Sequence, residues 1–159
     1  MAKQEKTNVM RILDQKKVAY VVHDYTESGA IAGEDVAKTL GEDPERVFKT
    51  LVTVGKSKQY YVFLVPVCKE LNLKKGAKAV GEKSIEMIKS KELLPLTGYI
   101  HGGCSPVGMK KAFPTIVDIS AQNGDRIYFS AGKIGLQVEI AVSDINKLIK
   151  VKYDDICDL

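Results

Sequence analysis

Apolar positions along the first half of the chain recur with two periods. Val9, Ile12 and Leu13 fall at i, i+3 and i+4 behind Thr7, a residue type that caps helices, and predict a first helix. Residues 18–23 read as a strand, and the polar residues 24–29 as a loop. Val36 and Leu40 mark a second short helix that stops at Gly41. Asp43-Pro44 suits one further turn, with aspartate as cap and proline at the first helical position. Two apolar runs, residues 48–54 and 60–67, flank Gly55-Lys56-Ser57-Lys58-Gln59 and predict a hairpin.

Asn72 opens a lysine-rich helix over residues 72–80, and Ser84 a further helix over 84–90. Residues 97–108 read as a long glycine-containing loop. Three strands are predicted after it, at 115–119, 126–130 and 136–141. In the last, Val138 and Ile140 alternate with Gln137 and Glu139, the period of a half-buried strand. Ser143 is placed to cap a closing helix carrying Ile145 and Leu148. Short helices scattered among hairpin-linked strands imply an α+β fold with a mixed, curved sheet, rather than a doubly wound one. A length of 159 residues fits one domain over 1–159, with no repeat, linker or low-complexity tract.

Composition narrows the class. With 45% apolar and 28% charged residues, the chain has the balance of a soluble globular protein. The polar N-terminus and the shortness of every apolar run argue against a signal peptide or a membrane span, so a cytoplasmic location is expected. Cys68, Cys104 and Cys157 match no zinc or redox spacing, and there are only two histidines, His23 and His101. Neither a metal nor another cofactor is expected. The net charge of +4 is mild, but residues 68–92 hold seven lysines against four glutamates. Such a stretch fits a phosphate backbone or, equally, a solvated helix face.

Three segments carry candidate chemistry. Lys49, beside Thr50, sits at the start of an otherwise apolar strand, where a lysine either snorkels to the sheet rim or points into a pocket. The loop Thr97-Gly98-Tyr99-Ile100-His101-Gly102-Gly103-Cys104-Ser105-Pro106-Val107-Gly108 has adjacent glycines that let backbone N–H groups approach a ligand. The hairpin connection Ser130-Ala131-Gly132-Lys133-Ile134-Gly135-Leu136 adds one serine and one lysine. Each segment alone is equally a plain rim residue, a tight loop or a turn. His101 is a conceivable base and Cys104 a conceivable nucleophile, though no triad, metal constellation or acid pair accompanies them.

Taken together, in this order and spacing, the KTL strand start, the GYIHGGCSPVG loop, the KKAFPTIVD strand entry and the SAGKIGLQVEI hairpin resemble the YbaK/EbsC family of free-standing editing proteins. These are relatives of the editing insertion in bacterial prolyl-tRNA synthetases, and the resemblance runs from the first helix to about Leu148. It implies a partial barrel with a substrate pocket at its mouth. Lys49, Gly102 and Gly103 would be the catalytic positions, and Tyr25, Thr50, Ser105, Ser130 and Lys133 would contact substrate. Two departures are visible. Ala32 stands where a pocket phenylalanine is common, and Gln137 where an aspartate often follows the hairpin leucine, which argues against a carboxylate acting at that position.

The activity implied is removal of cysteine from the 3′ end of mischarged tRNA for proline, beside prolyl-tRNA synthetase. Alternatives are another small aminoacyl group, such as alanine, or a module that binds tRNA ends or a synthetase without turnover. In the route the family implies, the cysteinyl thiol attacks its own ester. A thiol with an unperturbed pKa of about 8.5 needs no strong base. The protein then has to fold the substrate and hold the oxyanion, for which the Gly102 and Gly103 N–H groups are candidates.

Overall fold

The computed structural model describes residues 6–31 and 33–158. Thr7 caps helix α1 (Asn8–Gln15), its hydroxyl accepting from the Met10 N–H at 3.2 Å. The helix ends in a Schellman motif: Lys17 takes φ +58°, and its N–H and that of Val18 return to Asp14 and Leu13. Because Val18 is still tied to the helix, strand β1 starts later than the periodicity predicts, at Tyr20–Asp24. Helix α2 (Gly33–Leu40) ends at Gly41, and Asp43 opens the expected turn by accepting from the Glu45 and Arg46 N–H groups.

Strands β2 (Phe48–Gly55) and β3 (Tyr60–Pro66) form the predicted hairpin. Asn72 caps α3 (Leu73–Val80) by accepting from the Lys75 N–H at 2.9 Å. The helix expected over 84–90 is not there. Ile85–Met87 is a short strand, β4, paired antiparallel to the end of β2, and Lys56 N–H donates to the Ser84 carbonyl. The open edge of β2 demands hydrogen-bond partners and overrides local helix preference. The helix forms later, as α4 (Ser90–Thr97), inside what reads in sequence as the lead-in to the loop. There the Glu92 carboxylate accepts from the Lys89 N–H at 2.8 Å.

Strand β5 (Thr115–Asp118) precedes a hairpin of β6 (Arg126–Lys133) and β7 (Leu136–Ala141). Ser143 does not cap the next helix. It lies in a 3₁₀ turn over Val142–Asp144, and α5 (Ile145–Leu148) follows with Asp144 at its cap position. The chain then adds a strand absent from the sequence expectation, β8 (Val151–Asp154).

The strands make two sheets in place of one. One is antiparallel, in the order β1-β7-β6; the other is mixed, in the order β4-β2-β3-β5-β8, with β3, β5 and β8 parallel. Strand β3 is apolar along its length because both faces are covered. Val62 and Leu64 face a core shared with α1 and the three-stranded sheet, where Leu13, Ile127, Phe129, Val138 and Ile140 are buried. Phe63 and Val65 face a second core with Ala77, Ile85, Ile116 and Ile156. Among the described residues no helix is long and apolar enough to cross a membrane.

The sheets meet at one seam. Val47 bridges Tyr128 in parallel, and the Tyr128 N–H donates to the Arg46 carbonyl at 3.0 Å. The Arg46 guanidinium then spreads over the carbonyls of Ser120, Ala121 and Arg126 at 2.8–3.0 Å. The planar fork makes four hydrogen bonds from three separate nitrogens, a spread that the single nitrogen of a lysine cannot span. Replacing Arg46 by alanine is expected to cost at least ~2 kcal/mol in urea unfolding, with Arg46→Lys recovering only a fraction.

Candidate active site

Beyond the seam, β2 and β6 run on in the same direction without pairing. Strand β4 takes up the edge of β2 only from Thr53, although the Ile88 N–H reaches the Val52 carbonyl at 3.3 Å. Between these two attachments the strands part, and the gap is a cavity of about 660 Å³. Lys49 and Thr50 line one wall, Ser130, Phe129 and Gln137 another, and Tyr25 and Gly102 complete it. The carbonyls of Arg46 and Val52 both face the open edge of β2. By strand alternation the main-chain N–H of Thr50 faces that edge too, where no strand pairs with it.

Five of the eight expected site residues thus share one cavity: Tyr25, Lys49, Thr50, Gly102 and Ser130. The Lys49 side chain is 28% exposed, and its ammonium lies 3.5 Å from the solvent-facing Glu70 carboxylate. Thr50 Oγ1 is buried without a hydrogen-bond partner among the described residues. Ser130 Oγ accepts from the Gly132 N–H at 3.1 Å, where β6 bulges, and keeps its own proton to donate. Tyr25 is buried, and its N–H is held by the Gly135 carbonyl at 2.8 Å.

The other three lie outside the lining. Gly103 is a packing glycine: a Cβ there would stand 3.1 Å from the Ile134 nitrogen and 3.3 Å from the Lys133 carbonyl carbon. Its N–H is already given to the Ile100 carbonyl at 3.0 Å, so it is not available to an oxyanion. The Gly102 N–H has no such partner among the described residues. Ser105 is fully buried, its hydroxyl accepting from the Val107 N–H. Lys133 is exposed at the hairpin tip. The departure at Ala32 falls outside the described residues.

The two conceivable protein catalysts fare differently from the pocket residues. His101 lines the cavity but is exposed at its rim. Cys104 also lines it, yet burial pushes its thiol up to about 12, which leaves almost no thiolate near neutral pH. Burial therefore disfavours a thiolate nucleophile at Cys104. Among the described residues no group of three or more His, Cys, Asp or Glu side chains gathers in the manner of a metal site.

The loop that carries Gly102 is fixed from beneath. The buried Tyr99 hydroxyl donates to the Val107 carbonyl, and the Tyr99 N–H is held by Thr97 Oγ1 at 3.1 Å. Met87, Ile88 and Leu93 contribute apolar wall from β4 and α4, elements misplaced or absent in the sequence expectation. Gln137, the position where the sequence argues against a carboxylate, also lines the cavity, at 3% exposure.

Residues 26–148 match the family model of the aminoacyl-tRNA editing domain. An Enterococcus faecalis protein that carries the provisional name Cys-tRNA(Pro)/Cys-tRNA(Cys) deacylase EbsC is 46% identical over 96% of this chain and 94% of its own length. A proline–tRNA ligase of Shouchella clausii is 29% identical over 64% of this chain, a stretch that makes up 18% of the ligase. A crystal structure described as a candidate trans-editing enzyme for prolyl-tRNA synthetase superposes with a TM-score of 0.82 at 21% identity, covering 98% of this chain and all of that one. That likeness shows the fold: α+β, with sheets that do not close.

Two outcomes are expected here. Gly102 has φ +88°, and a Cβ on it would meet Ile31 Cγ2 at 2.7 Å across the cavity. Gly102→Ala should therefore cost ~1–2 kcal/mol in unfolding and narrow the cavity, read as weakened ligand binding. In iodoacetamide labelling of the folded protein, exposed Cys68 should react, while buried Cys104 and Cys157, both pushed up to about 12, should be labelled only after denaturation.

Proposed function

The chain belongs to the aminoacyl-tRNA editing domain family, and from that premise we propose that it removes cysteine in trans from mischarged tRNA for proline. A single observation supports the reading: Lys49, Thr50 with its unpaired hydroxyl, and Gly102 all line one cavity, although Gly102 lies some fifty residues further along the chain. The relative from Enterococcus faecalis bears a name for the same chemistry.

The need for such an enzyme is physical. Cysteine and proline differ little in volume, and a methylene-sized difference gives a synthetase pocket only about 10- to 200-fold discrimination. A second site that destroys the wrong ester corrects the error.

The lining offers apolar wall, two lysines (Lys49 and Lys89), the carboxylates of Glu34 and Asp35, His101 and a few hydrogen-bonding groups, but no base paired with a nucleophile. The substrate then supplies its own. Its thiolate sulfur bonds to the ester carbonyl carbon, the carbonyl oxygen takes up negative charge, and the bond to the ribose oxygen breaks. A cyclic thiolactone leaves, and the proton lost from sulfur ends on the ribose hydroxyl. Lys49 holds the terminal phosphate or the polarised carbonyl as a compact positive charge, which draws it away from Glu70. Oxyanion donors are the N–H of Gly102 and, in place of Gly103, that of Thr50 on the open edge of β2. Folding the thiol onto the carbonyl supplies the remainder, up to roughly 7–11 kcal/mol in favourable cases.

The protein acts in the cytoplasm as a single editing domain and works beside prolyl-tRNA synthetase, which selects the tRNA. Its mild net charge of +4 supports that division of labour, since few phosphate contacts mean weak affinity for the tRNA body.

With purified cysteinyl-tRNA for proline, Lys49→Ala should lower the deacylation rate at least ~100-fold while leaving thermal unfolding nearly unchanged. The seryl counterpart should be largely spared, because its hydroxyl is a far weaker nucleophile near neutral pH. Equal rates on the two esters would exclude the substrate-thiol route, and a Lys49→Ala protein with full turnover would exclude the site.

A further inference from the structure

Two buried polar groups near the cavity are unexplained by that mechanism. Gln137 is 3% exposed and lines the cavity, and its carbonyl oxygen has no hydrogen-bond partner among the described residues. Both carboxyl oxygens of Glu42, which follows α2, are also buried and unpaired. An unmet buried carbonyl is destabilising, so one beside a cavity points to a donor that a ligand could supply.

We propose that Gln137 is the subsite for the substrate's α-ammonium group, and that Glu42 behind it is a positioning residue that sets which end of the Gln137 amide faces the cavity. The inference rests on the editing reading, because that reading supplies the ammonium. An ionised Glu42 attracts the Gln137 NH2 and leaves the carbonyl facing the ligand. A protonated Glu42 donates its proton to the carbonyl, and the amide turns its NH2 to the cavity, where it repels a cation.

The surroundings favour such a switch. Burial raises the Glu42 pKa above its ordinary 4.5, while the Gln137 amide and His23 oppose the rise and Glu139 adds to it. Groups facing Glu42 come from every neighbouring strand. They are His23 on β1 and Tyr25 just after it, Tyr128 on β6, and Glu139 on β7. Glu139 is itself engaged by His23 at 2.8 Å and Arg126 at 2.5 Å. Glu42 has no ion pair of that kind, only the Gln137 amide beside it, so its own protonation is coupled to that amide.

The sign follows. Glu42 is protonated below its raised pKa and ionised above it, so affinity for an ammonium ligand rises with pH through a window above 4.5. The window closes where the α-amino group itself loses its proton, at about pH 7.7. A stable probe is the cysteinyl amide of 3′-amino-3′-deoxyadenosine, with its N-acetylated form as the uncharged control. Calorimetric titration from about pH 5 to about pH 8 should show the rise for the amine and none for the acetylated form. Gln137→Leu should weaken the amine probe at least ~10-fold and the control little. Glu42→Gln, which cannot ionise, should flatten the pH dependence.

The comparison of the two probes on the unaltered protein is independent of any folding defect in the variants. A pH rise that survives in Glu42→Gln, that the acetylated probe shares, or a Gln137→Leu protein with unchanged affinity for the amine, overturns the inference and leaves the deacylase reading standing. No binding of either probe at any pH would overturn both.

Discussion

The fold depends on one side chain reaching across a gap. The Arg46 guanidinium gathers the carbonyls that end the turn before β6 and the first carbonyl of β6 itself, while its main chain starts the bridge at Val47. Each sheet has its own hairpin and could pair internally without the other. What they lack is a shared ladder, because one parallel bridge is too little to fix an angle between two sheets. The charged fork replaces that ladder. It holds β2 and β6 together at one end and lets them diverge at the other, and the divergence is the cavity.

This construction accounts for the chemical character of the site. A cleft between two sheets inherits their apolar interiors, so the strands contribute polar groups where they start, bulge or lie open, and the remaining charged groups come from the ends of α2 and α4 and from the His101 loop. Lys49 and Thr50 are at the start of β2, Ser130 is at the bulge of β6, and Gln137 sits opposite that bulge on β7. Such a place is suited to desolvating and orienting a bound ester, and poorly suited to generating a strong nucleophile. The high pKa of Cys104 states the same constraint from the protein's side.

Much of the fold was legible where the chain carries its own local signals. Thr7 and Asn72 announce their helices through side-chain caps that need no tertiary partner. Leu136 to Ala141 alternates cleanly because only one face of β7 is in the main core. Legibility failed where a distant edge decided the outcome. Ile85 to Met87 became strand because the free edge of β2 was there to receive it. Strand β8, four residues long with Lys152 and Asp154 in it, has no signal apart from the β5 edge it joins. The KTL and GG segments marked the site, but not which glycine keeps its N–H: Gly102 and Gly103 differ only by a turn closing on Ile100. Glu42 and Arg46 had no local signature, since Arg46 acts on carbonyls 74 to 80 residues away and Glu42 meets Gln137 on β7.

The late position of β8 has a consequence for synthesis. Ile156 is fully buried in the second core, its carbonyl receives the Asn72 N–H, and the Asp158 N–H returns to the Glu70 carbonyl. A nascent chain that has not yet reached Val151 leaves β5 with an open parallel edge and α3 without its last packing partner. The hairpin bearing Lys49 can form early, but its outer layer is complete only once residues 151–158 have been made. Until then a growing chain holds apolar strand exposed, the kind of surface on which aggregation and chaperone capture act.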